Sequence, residues 1–421
     1  MSSLVECVAP ERMRPALSCE ADRFKSSREE RDVILNSRAF QLLQRKTQLF
    51  PARMQYNCRT RQSHSLDVAH IGRAISREYL SRHKGDADES LARTFIDTVE
   101  NACLLHDIGH PPFGHSGESA LRIWLSSHHS NYSVMRFDGN PQGFRMMTSQ
   151  YSEFGRHLNI SACLLIATVK YPQTQSYCDM PWHQKIGIFD GDLGIYNDAC
   201  VRAGWSAGKI HPIALIMDAS DDIAYSLSDI EVCMSVGVHQ PEIAALLELA
   251  HVVDPLIHDM YTFRRRVIDG VVQEVSNSLI SDEQQILNGE REKLIDENLP
   301  YGQLIARCKA VIGNHECVKS MDKIASDALL GLLRSVFSVT ALRNNKYKRR
   351  RSTEVDWQQC VLTKDSGGNG DIDESTLHRL VDIVCAMTDD MVFSMAGDDA
   401  YQAPRAIKHI ATTFSTAHCE P

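Results

Sequence analysis

Apolar residues recur at intervals of three and four through most of this chain, whereas strict alternation of apolar and polar residues is scarce. Intervals of three and four place side chains on one face of an α-helix, and alternation is typical of a half-buried strand. The pattern therefore predicts an all-α protein. The clearest apolar stripes are the set Val68, Ile71, Ile75 and Tyr79 and the set Phe95, Val99 and Ala102.

Two histidines share these stripes: His64 falls on the first and His106 on the second, so both point toward the interior. A single interior histidine is more often a hydrogen-bonded core residue than a ligand. Asp107 follows His106 directly at the end of its predicted helix, and a buried carboxylate is costly unless it is paired or bound to a metal. Because divalent cations accept imidazole and carboxylate together, the three residues favour a metal site.

A third predicted helix, near 213–230, has an acidic face. Its polar positions at helical spacing are Asp218, Asp221, Tyr225 and Asp229, and its apolar residues lie on the opposite side. Such an acidic face is either exposed to solvent or part of a functional site. Aspartate is a poor helix former, so this many in mid-helix favour a functional use.

Charge and cysteine content narrow the class of protein. The net charge is −9, which argues against a general duplex nucleic-acid binder but leaves a locally basic nucleotide pocket open. The thirteen cysteines are scattered without a C-x-x-C pair, as expected of reduced thiols. The first residues lack the layout of a secretory signal, and no apolar run has transmembrane length, so we predict a cytoplasmic protein.

The order His64, His106-Asp107 and Asp221 resembles the signature of HD-domain phosphohydrolases. Longer blocks resemble the bacterial dGTPase family, the deoxynucleoside triphosphate triphosphohydrolases. The blocks are RTRQSHSL at 59–66, HDIGHPPFGHSGE at 106–118, FDGNPQGFR at 137–145 and DDIAYS at 221–226, with KTQ at 46–48 and MTD at 387–389. Asp138 and Pro141 depart from the Glu-Gly-Asn-Ala-Gln expected in the third block, and 230–375 matches only loosely.

The resemblance implies cleavage of a dNTP to deoxynucleoside and intact triphosphate, with water attacking the α-phosphorus. It also implies a divalent metal ion, with Mg or Mn favoured and Fe or Zn as alternatives. Asp221 is preferred to Asp222 as a ligand because it shares a face with Tyr225 and Asp229. The implied metal ligands are His64, His106, Asp107 and Asp221.

Further roles follow from the same resemblance. His115 and Glu118 match the family's catalytic His–Glu pair. Arg61, Asn140 and Lys170 match its phosphate contacts, and Tyr171 matches their aromatic neighbour. Gln48 and Asp229 would bond the 3′-hydroxyl, while Tyr225 would pack where a 2′-hydroxyl would clash. This last feature predicts a preference for deoxynucleotides over ribonucleotides.

The residue pattern at the start of the chain and the resemblance beyond it predict the organisation of the chain. We expect a loosely attached arm at 1–30, an HD-type catalytic core at 31–235 and a helical region at 236–421. That last region would complete the site and form an oligomer interface. The family usually forms homo-oligomers, often hexamers, and some members respond to single-stranded DNA or nucleotide effectors.

Two other interpretations remain at this point. The first is an HD phosphohydrolase with another nucleotide phosphoester as substrate. The second is a regulatory protein of the same fold that responds to single-stranded nucleic acid, motivated by the basic run with an aromatic at 346–351. The run is better interpreted as a solvated helix end or as a phosphate contact across a subunit boundary.

Overall fold

The computed structural model describes most of the chain. The described residues are 3–8, 11–13, 23–48, 59–83, 88–127, 136–148, 158–176, 185–235, 240–313, 316–336 and 374–395. Within these ranges the secondary structure is helical and no strand forms, which confirms the all-α prediction. Two isolated bridges, between Arg12 and Ser161 and between Thr47 and Thr60, join extended segments.

The α-helices are numbered here in chain order, and short 3-10 turns lie at 4–6, 43–45 and 190–192. The first eight are α1 (Arg23–Asn36), α2 (Arg38–Leu42), α3 (Arg61–Arg82), α4 (Glu89–Leu105), α5 (Gly114–Ser126), α6 (Gly139–Thr148), α7 (Ala162–Ala167) and α8 (Leu193–Ala203). The others are α9 (Pro212–Ser235), α10 (Gln240–Val253), α11 (Met260–Ser281), α12 (Glu283–Leu287), α13 (Pro300–Gly313), α14 (Glu316–Val336), α15 (Glu374–Cys385) and α16 (Asp389–Met395).

Helices α3, α4 and α9 pack against one another and form the centre of the molecule. Their predicted apolar stripes are the surfaces they bury: Val68 and Ile71 of α3, Phe95 and Val99 of α4, and Ile223 of α9 are each fully buried. Burying a large aliphatic or aromatic side chain contributes about 1.5–3 kcal/mol. The apolar stripes thus determine which face of each helix points inward. The polar residues on those same faces therefore also point inward.

The starts of α3 and α4 are set by local hydrogen bonds. Thr60 caps α3 by accepting from the backbone N–H of Ser63, whose hydroxyl in turn accepts from the N–H of Thr60. Asp88 caps α4 by accepting from the N–H of Leu91 at 2.7 Å. Such caps satisfy donors that the first helical turn leaves without partners.

The later helices pack directly on the central ones. Helix α11 lies against α3, α13 against α9, and α14 against α5. A network of charged side chains ties α11 to the start of α3 and the end of α9. Glu231 accepts a hydrogen bond from Arg59 at 2.8 Å and forms an ion pair with Arg264 at 3.2 Å. Arg264 also donates to Asp67 at 3.0 Å. This packing places C-terminal side chains beside the central helices.

The arm predicted for 1–30 is not loose where the structure describes it, and this prediction was wrong there. Leu4, Val5 and Cys7 are buried, the N–H of Leu4 donates to Glu283 at 3.1 Å, and α1 begins at Arg23 rather than after residue 30. A group of apolar residues as short as this has no periodicity, so the sequence pattern could not separate a buried anchor from a free end.

Three other predictions concern composition. Among the described helices, none combines the length and the apolar character that crossing a membrane requires. The cysteines at 7, 103, 163, 200, 308 and 385 are buried thiols. The basic run at 346–351 lies outside the described residues.

Candidate active site

Three helices bring the four predicted metal ligands together. His64 projects from the first turn of α3, His106 and Asp107 follow the last turn of α4, and Asp221 lies in the middle of α9. Nε2 of His64 lies 2.9 Å from Oδ1 of Asp221, and Nε2 of His106 lies 3.5 Å from the same oxygen. Nε2 of His106 is also 3.4 Å from Oδ1 of Asp107. Two imidazoles and two carboxylates therefore face one small volume.

The chemistry of this donor set fits a divalent cation. Ligand atoms of His64, His106 and Asp107 all lie within 4.8 Å of one another. Nδ1 of His106 lies 2.7 Å from the carbonyl oxygen of Cys103, an arrangement that places the proton on Nδ1 and leaves a lone pair on Nε2. That Nε2 is buried and has no hydrogen-bond partner, as expected of a ligand atom.

Electrostatics at this cluster favour added positive charge. Burial alone would lower the pKa of His106, but the carboxylates of Asp107 and Asp221 outweigh it and the pKa is raised. Burial would likewise raise the pKa of Asp107, yet the Arg61 guanidinium and the neighbouring imidazoles hold it well below its usual range. Both carboxylates are therefore ionised and ready to bind a cation.

Two predicted phosphate contacts pair with the predicted ligands. Nη1 of Arg61 donates to Oδ2 of Asp107 at 2.8 Å, and Nζ of Lys170 donates to Oδ2 of Asp221 at 2.6 Å. Lys170 also lies 3.0 Å from Asp218. In each pair the arginine or lysine contacts Oδ2 of the carboxylate, whereas Oδ1 faces the histidines. The Arg61 and Lys170 side chains therefore border the ligand cluster.

The predicted pair His115 and Glu118 forms a hydrogen-bonded dyad one helical turn long on α5. Nδ1 of His115 lies 2.9 Å from Oε2 of Glu118, and the other oxygen of Glu118 accepts from the N–H of Gly139 at 2.9 Å. The bond to Glu118 raises the pKa of His115. Despite its burial, Glu118 has its pKa held far below the usual range by His115. The carboxylate of Glu118 therefore favours the protonated form of His115.

His110 connects the dyad to the metal ligands. Its Nδ1 lies 3.0 Å from Oδ1 of Asp107, and its Nε2 lies 3.6 Å from Oε1 of Glu118. Burial lowers the pKa of His110 to about 3, so the ring is neutral near pH 7. Two glycines allow the His110 ring and the Arg61 guanidinium to pack closely against the backbone. A Cβ on Gly139 would meet the His110 ring at 2.8 Å, and one on Gly114, whose φ is +54°, would meet the Arg61 guanidinium.

A clamp from the end of the chain holds the segment between the HD pair and α5. Asp389 at the start of α16 accepts from the N–H of Phe113 at 2.9 Å and from the N–H and hydroxyl of Thr47. Phe113 has φ of +64°, a strained conformation for a residue with a large side chain. The buried Lys46 ammonium donates to the carbonyl oxygens of His110 and Cys385 at 2.7 and 2.5 Å.

We expect Asp389→Ala to destabilise the protein by roughly 3 kcal/mol, because it leaves the buried N–H groups of Thr47 and Phe113 without acceptors. Urea unfolding followed by circular dichroism measures this. The control is Asp327→Ala, which removes an exposed aspartate of α14. If the two variants were equally stable, the clamp would contribute nothing measurable.

The predicted sugar contacts lie in a buried polar region. Oε1 of Gln48 and both oxygens of Asp229 are buried atoms without a hydrogen-bond partner of good geometry. Burial raises the pKa of Asp229 to about 7, although the nearby Tyr225 hydroxyl lowers it. Burial of polar groups without partners is costly, so these atoms are suited to a hydroxyl-bearing ligand.

The remaining predicted contacts, Asn140 and Tyr171, are half-buried. The Asn140 side chain donates to Oδ1 of Asp138 at 2.6 Å, so the aspartate that departs from the expected motif orients this amide. Burial, followed by the charge of Asp218, raises the pKa of Tyr171 to about 12. The Tyr171 hydroxyl lies near the carboxylates of Asp218 and Asp222 on α9.

Two contacts from the C-terminal helices reach the site and were not predicted. Nζ of Lys309 on α13 lies 2.5 Å from Oδ1 of Asp222, and the hydroxyl of Ser116 donates to Asp322 of α14 at 2.7 Å. No motif in the sequence distinguishes Lys309 or Asp322 from other charged residues on helix surfaces. Only the packing of α13 on α9 and of α14 on α5 brings them here.

Comparison with known proteins adds to this geometry. Residues 61–147 match the HD domain family. This segment of the chain is therefore similar to an HD domain. The matched segment runs from the start of α3 through most of α6, and so includes His64, His106, Asp107 and the dyad. Asp221 and the helices after it lie beyond the HD match.

Curated relatives extend the similarity well past the HD domain. A deoxyguanosinetriphosphate triphosphohydrolase-like protein of Pseudomonas aeruginosa is 27% identical over 87% of this chain and 91% of its own. One from Synechocystis sp. is 29% identical over 74% and 80%. The deoxyguanosinetriphosphate triphosphohydrolase of Yersinia enterocolitica is 29% identical over 51% and 50%. The resemblance predicted from the motif blocks is therefore confirmed.

Proposed function

We propose that this protein is a metal-dependent dNTP triphosphohydrolase that releases deoxynucleoside and intact triphosphate. The observation that carries the proposal is a cluster of metal ligands beside a separate His–Glu dyad, joined through His110. A cation that neutralises the phosphate and a separate proton donor for the leaving group both accelerate phosphoester hydrolysis. The names of the relatives support a nucleoside triphosphate as the substrate.

We propose His64, His106, Asp107 and Asp221 as the ligands of one divalent cation, Mg or Mn in the first instance, with Fe or Zn as alternatives. When bound, the cation activates water and neutralises charge on the α-phosphate. Arg61 and Lys170, already paired with two of these carboxylates, hold the ligands in their ionised form and are available to phosphate oxygens at the edge of the cluster.

The proton for the leaving O5′ comes from His115 in this proposal. Its Nδ1 is bonded to Glu118, so the proton available for transfer is the one on Nε2. The raised pKa of His115 keeps that proton in place at a pH where an ordinary imidazole is losing it. Buried Glu118 remains ionised throughout and fixes the orientation of the ring.

We propose the remaining predicted residues as contacts to the phosphates and the sugar of the substrate. Arg61, Lys170 and Asn140 face the phosphates, with Tyr171 beside them. Gln48 and Asp229 would bond the 3′-hydroxyl and satisfy their buried oxygens. Tyr225, which precedes Asp229 by one helical turn, would leave no room for a 2′-hydroxyl. A site built in this way favours deoxynucleotides.

Tyr225→Ala is expected to reduce the preference for dGTP over GTP, expressed as a ratio of kcat/KM values, by about tenfold to a hundredfold. Removal of the phenol ring opens space for the 2′-oxygen while the 3′-hydroxyl contacts remain. The matched control is Tyr261→Ala, which truncates an exposed tyrosine at the start of α11. Equal turnover of GTP and dGTP by the wild-type protein would rule out the specificity proposal.

A substrate panel tests the proposed function. The four dNTPs and GTP are incubated with the Mg- or Mn-loaded protein, and both products are identified by ion-exchange chromatography. Triphosphate together with deoxynucleoside supports the proposal. Orthophosphate or pyrophosphate as the product would instead indicate a different phosphoester reaction.

The oligomeric state and regulation belong to the same proposal. We infer a cytoplasmic homo-oligomer, with a hexamer as the first candidate, and a response to single-stranded DNA or nucleotide effectors. Light scattering measures the oligomer. The substrate panel, repeated with single-stranded DNA present, measures the response.

A further inference from the structure

Lys309 places a positive charge at the site from the C-terminal half of the chain. It lies on α13, which packs against α9, and its side chain is 37% exposed. Its Nζ lies 2.5 Å from Oδ1 of Asp222, the residue after the predicted metal ligand Asp221. None of the roles assigned above uses either Lys309 or Asp222.

The Lys309–Asp222 pair resembles the neighbouring pairs of Lys170. Asp218, Asp221 and Asp222 follow closely on α9, and Lys170 binds the first two at 3.0 and 2.6 Å. Lys309, on α13, forms an ion pair with the third of these aspartates, Asp222. Asp218 and Asp222 both act on the Tyr171 hydroxyl, whose pKa is raised mainly by burial. The two lysines therefore border the same group of aspartates beside Tyr171.

The charge balance explains why a further cation is needed. A triphosphate carries about four negative charges and must enter next to several carboxylates, so binding requires cations and hydrogen-bond donors in number. Arg61 and Lys170 are each paired with a predicted metal ligand, so part of their charge already balances these carboxylates. Within the described part of the chain, Asp222 is the one carboxylate that pairs with Lys309. A lysine ammonium on its flexible stem can turn from a carboxylate to a phosphate.

We propose that Lys309 is a substrate-binding residue that contacts the triphosphate chain of the nucleotide. The inference rests on the proposed function and deepens it by assigning α13 to the phosphate site. Asp222 holds the ammonium near the site before the nucleotide binds. The contact would then be made mainly to the bound triphosphate, so Lys309 affects binding more than the chemical step.

The test compares the full-length Mn-loaded protein with three variants: Lys309→Ala, Lys309→Arg and the control Arg307→Ala. Arg307 lies on the same helix and is exposed. Two quantities are measured for each protein. Calorimetry gives the Kd of inorganic tripolyphosphate, and steady-state kinetics give kcat and KM for dGTP. Thermal unfolding verifies that all four proteins are folded.

For Lys309→Ala we expect about tenfold weaker tripolyphosphate binding and a similar rise in KM, with kcat nearly unchanged. Lys309→Arg should retain most of the affinity, and Arg307→Ala should match the wild type. Equal tripolyphosphate affinity for Lys309→Ala and Arg307→Ala would overturn the assignment. If the wild type released no triphosphate, the proposed function would fail, and the tripolyphosphate comparison would still decide the role of Lys309.

Discussion

His64→Ala is expected to remove the bound divalent cation and to lower dNTP hydrolysis by at least about a thousandfold. The loss is large because a metal ion supplies several kcal/mol of transition-state stabilisation in phosphoryl hydrolysis. His64 is buried and its Nε2 lies 2.9 Å from Oδ1 of Asp221, inside the ligand cluster. The measurements are metal content by atomic emission and the initial rate with Mn or Mg.

The matched control is His70→Ala. His70 lies on the same helix, α3, but is exposed to solvent. It tests whether removing any imidazole from α3 affects metal content or rate. Full activity in His64→Ala, or an equal loss in both variants, would contradict the assignment of His64 to the metal site.

His115→Gln is expected to lower kcat by about a hundredfold to ten thousandfold while leaving metal content unchanged. The dyad lies on α5, apart from the four predicted ligands, so its loss should affect proton transfer and not metal binding. This separation distinguishes the dyad from His64. Loss of the metal in His115→Gln would show that His115 is itself a ligand.

Glu118→Gln is expected to move the alkaline limb of the pH profile of kcat/KM to lower pH. In the wild-type protein the bond to Glu118 raises the pKa of His115, so the acid form persists as pH rises and is lost only above that raised pKa. Without the carboxylate charge, His115 loses its proton at a lower pH. Glu89→Gln, at an exposed position of α4, serves as the control. An unmoved alkaline limb would argue against His115 as the proton donor.

The central helices could be predicted from sequence because their burial follows a regular spacing. The stripes that contain Val68 and Phe95 are the buried faces of α3 and α4. The N-terminal anchor could not be predicted in this way. Leu4 and Val5 belong to a single short turn, and their burial depends on contacts with distant residues such as Glu283. Periodicity carries no information about such contacts.

The candidate site likewise has one part that the sequence predicts and another that it does not. The motif block at 106–118 supplied both the predicted ligands His106 and Asp107 and the predicted dyad of His115 and Glu118. The partners that hold this block come from far along the chain: Asp389 binds Phe113, and Lys46 binds the carbonyl of His110. Lys309 is a single lysine on a helix that matches the family only loosely. Tertiary packing, not sequence spacing, places these residues.

The most direct test of the account is hydrolysis of a dNTP by the Mn-loaded protein in water enriched in oxygen-18, with both products analysed by mass spectrometry. The account predicts attack at the α-phosphorus, so one heavy oxygen should appear in intact triphosphate and none in the deoxynucleoside. Heavy oxygen in orthophosphate or pyrophosphate, or in the deoxynucleoside, would contradict it.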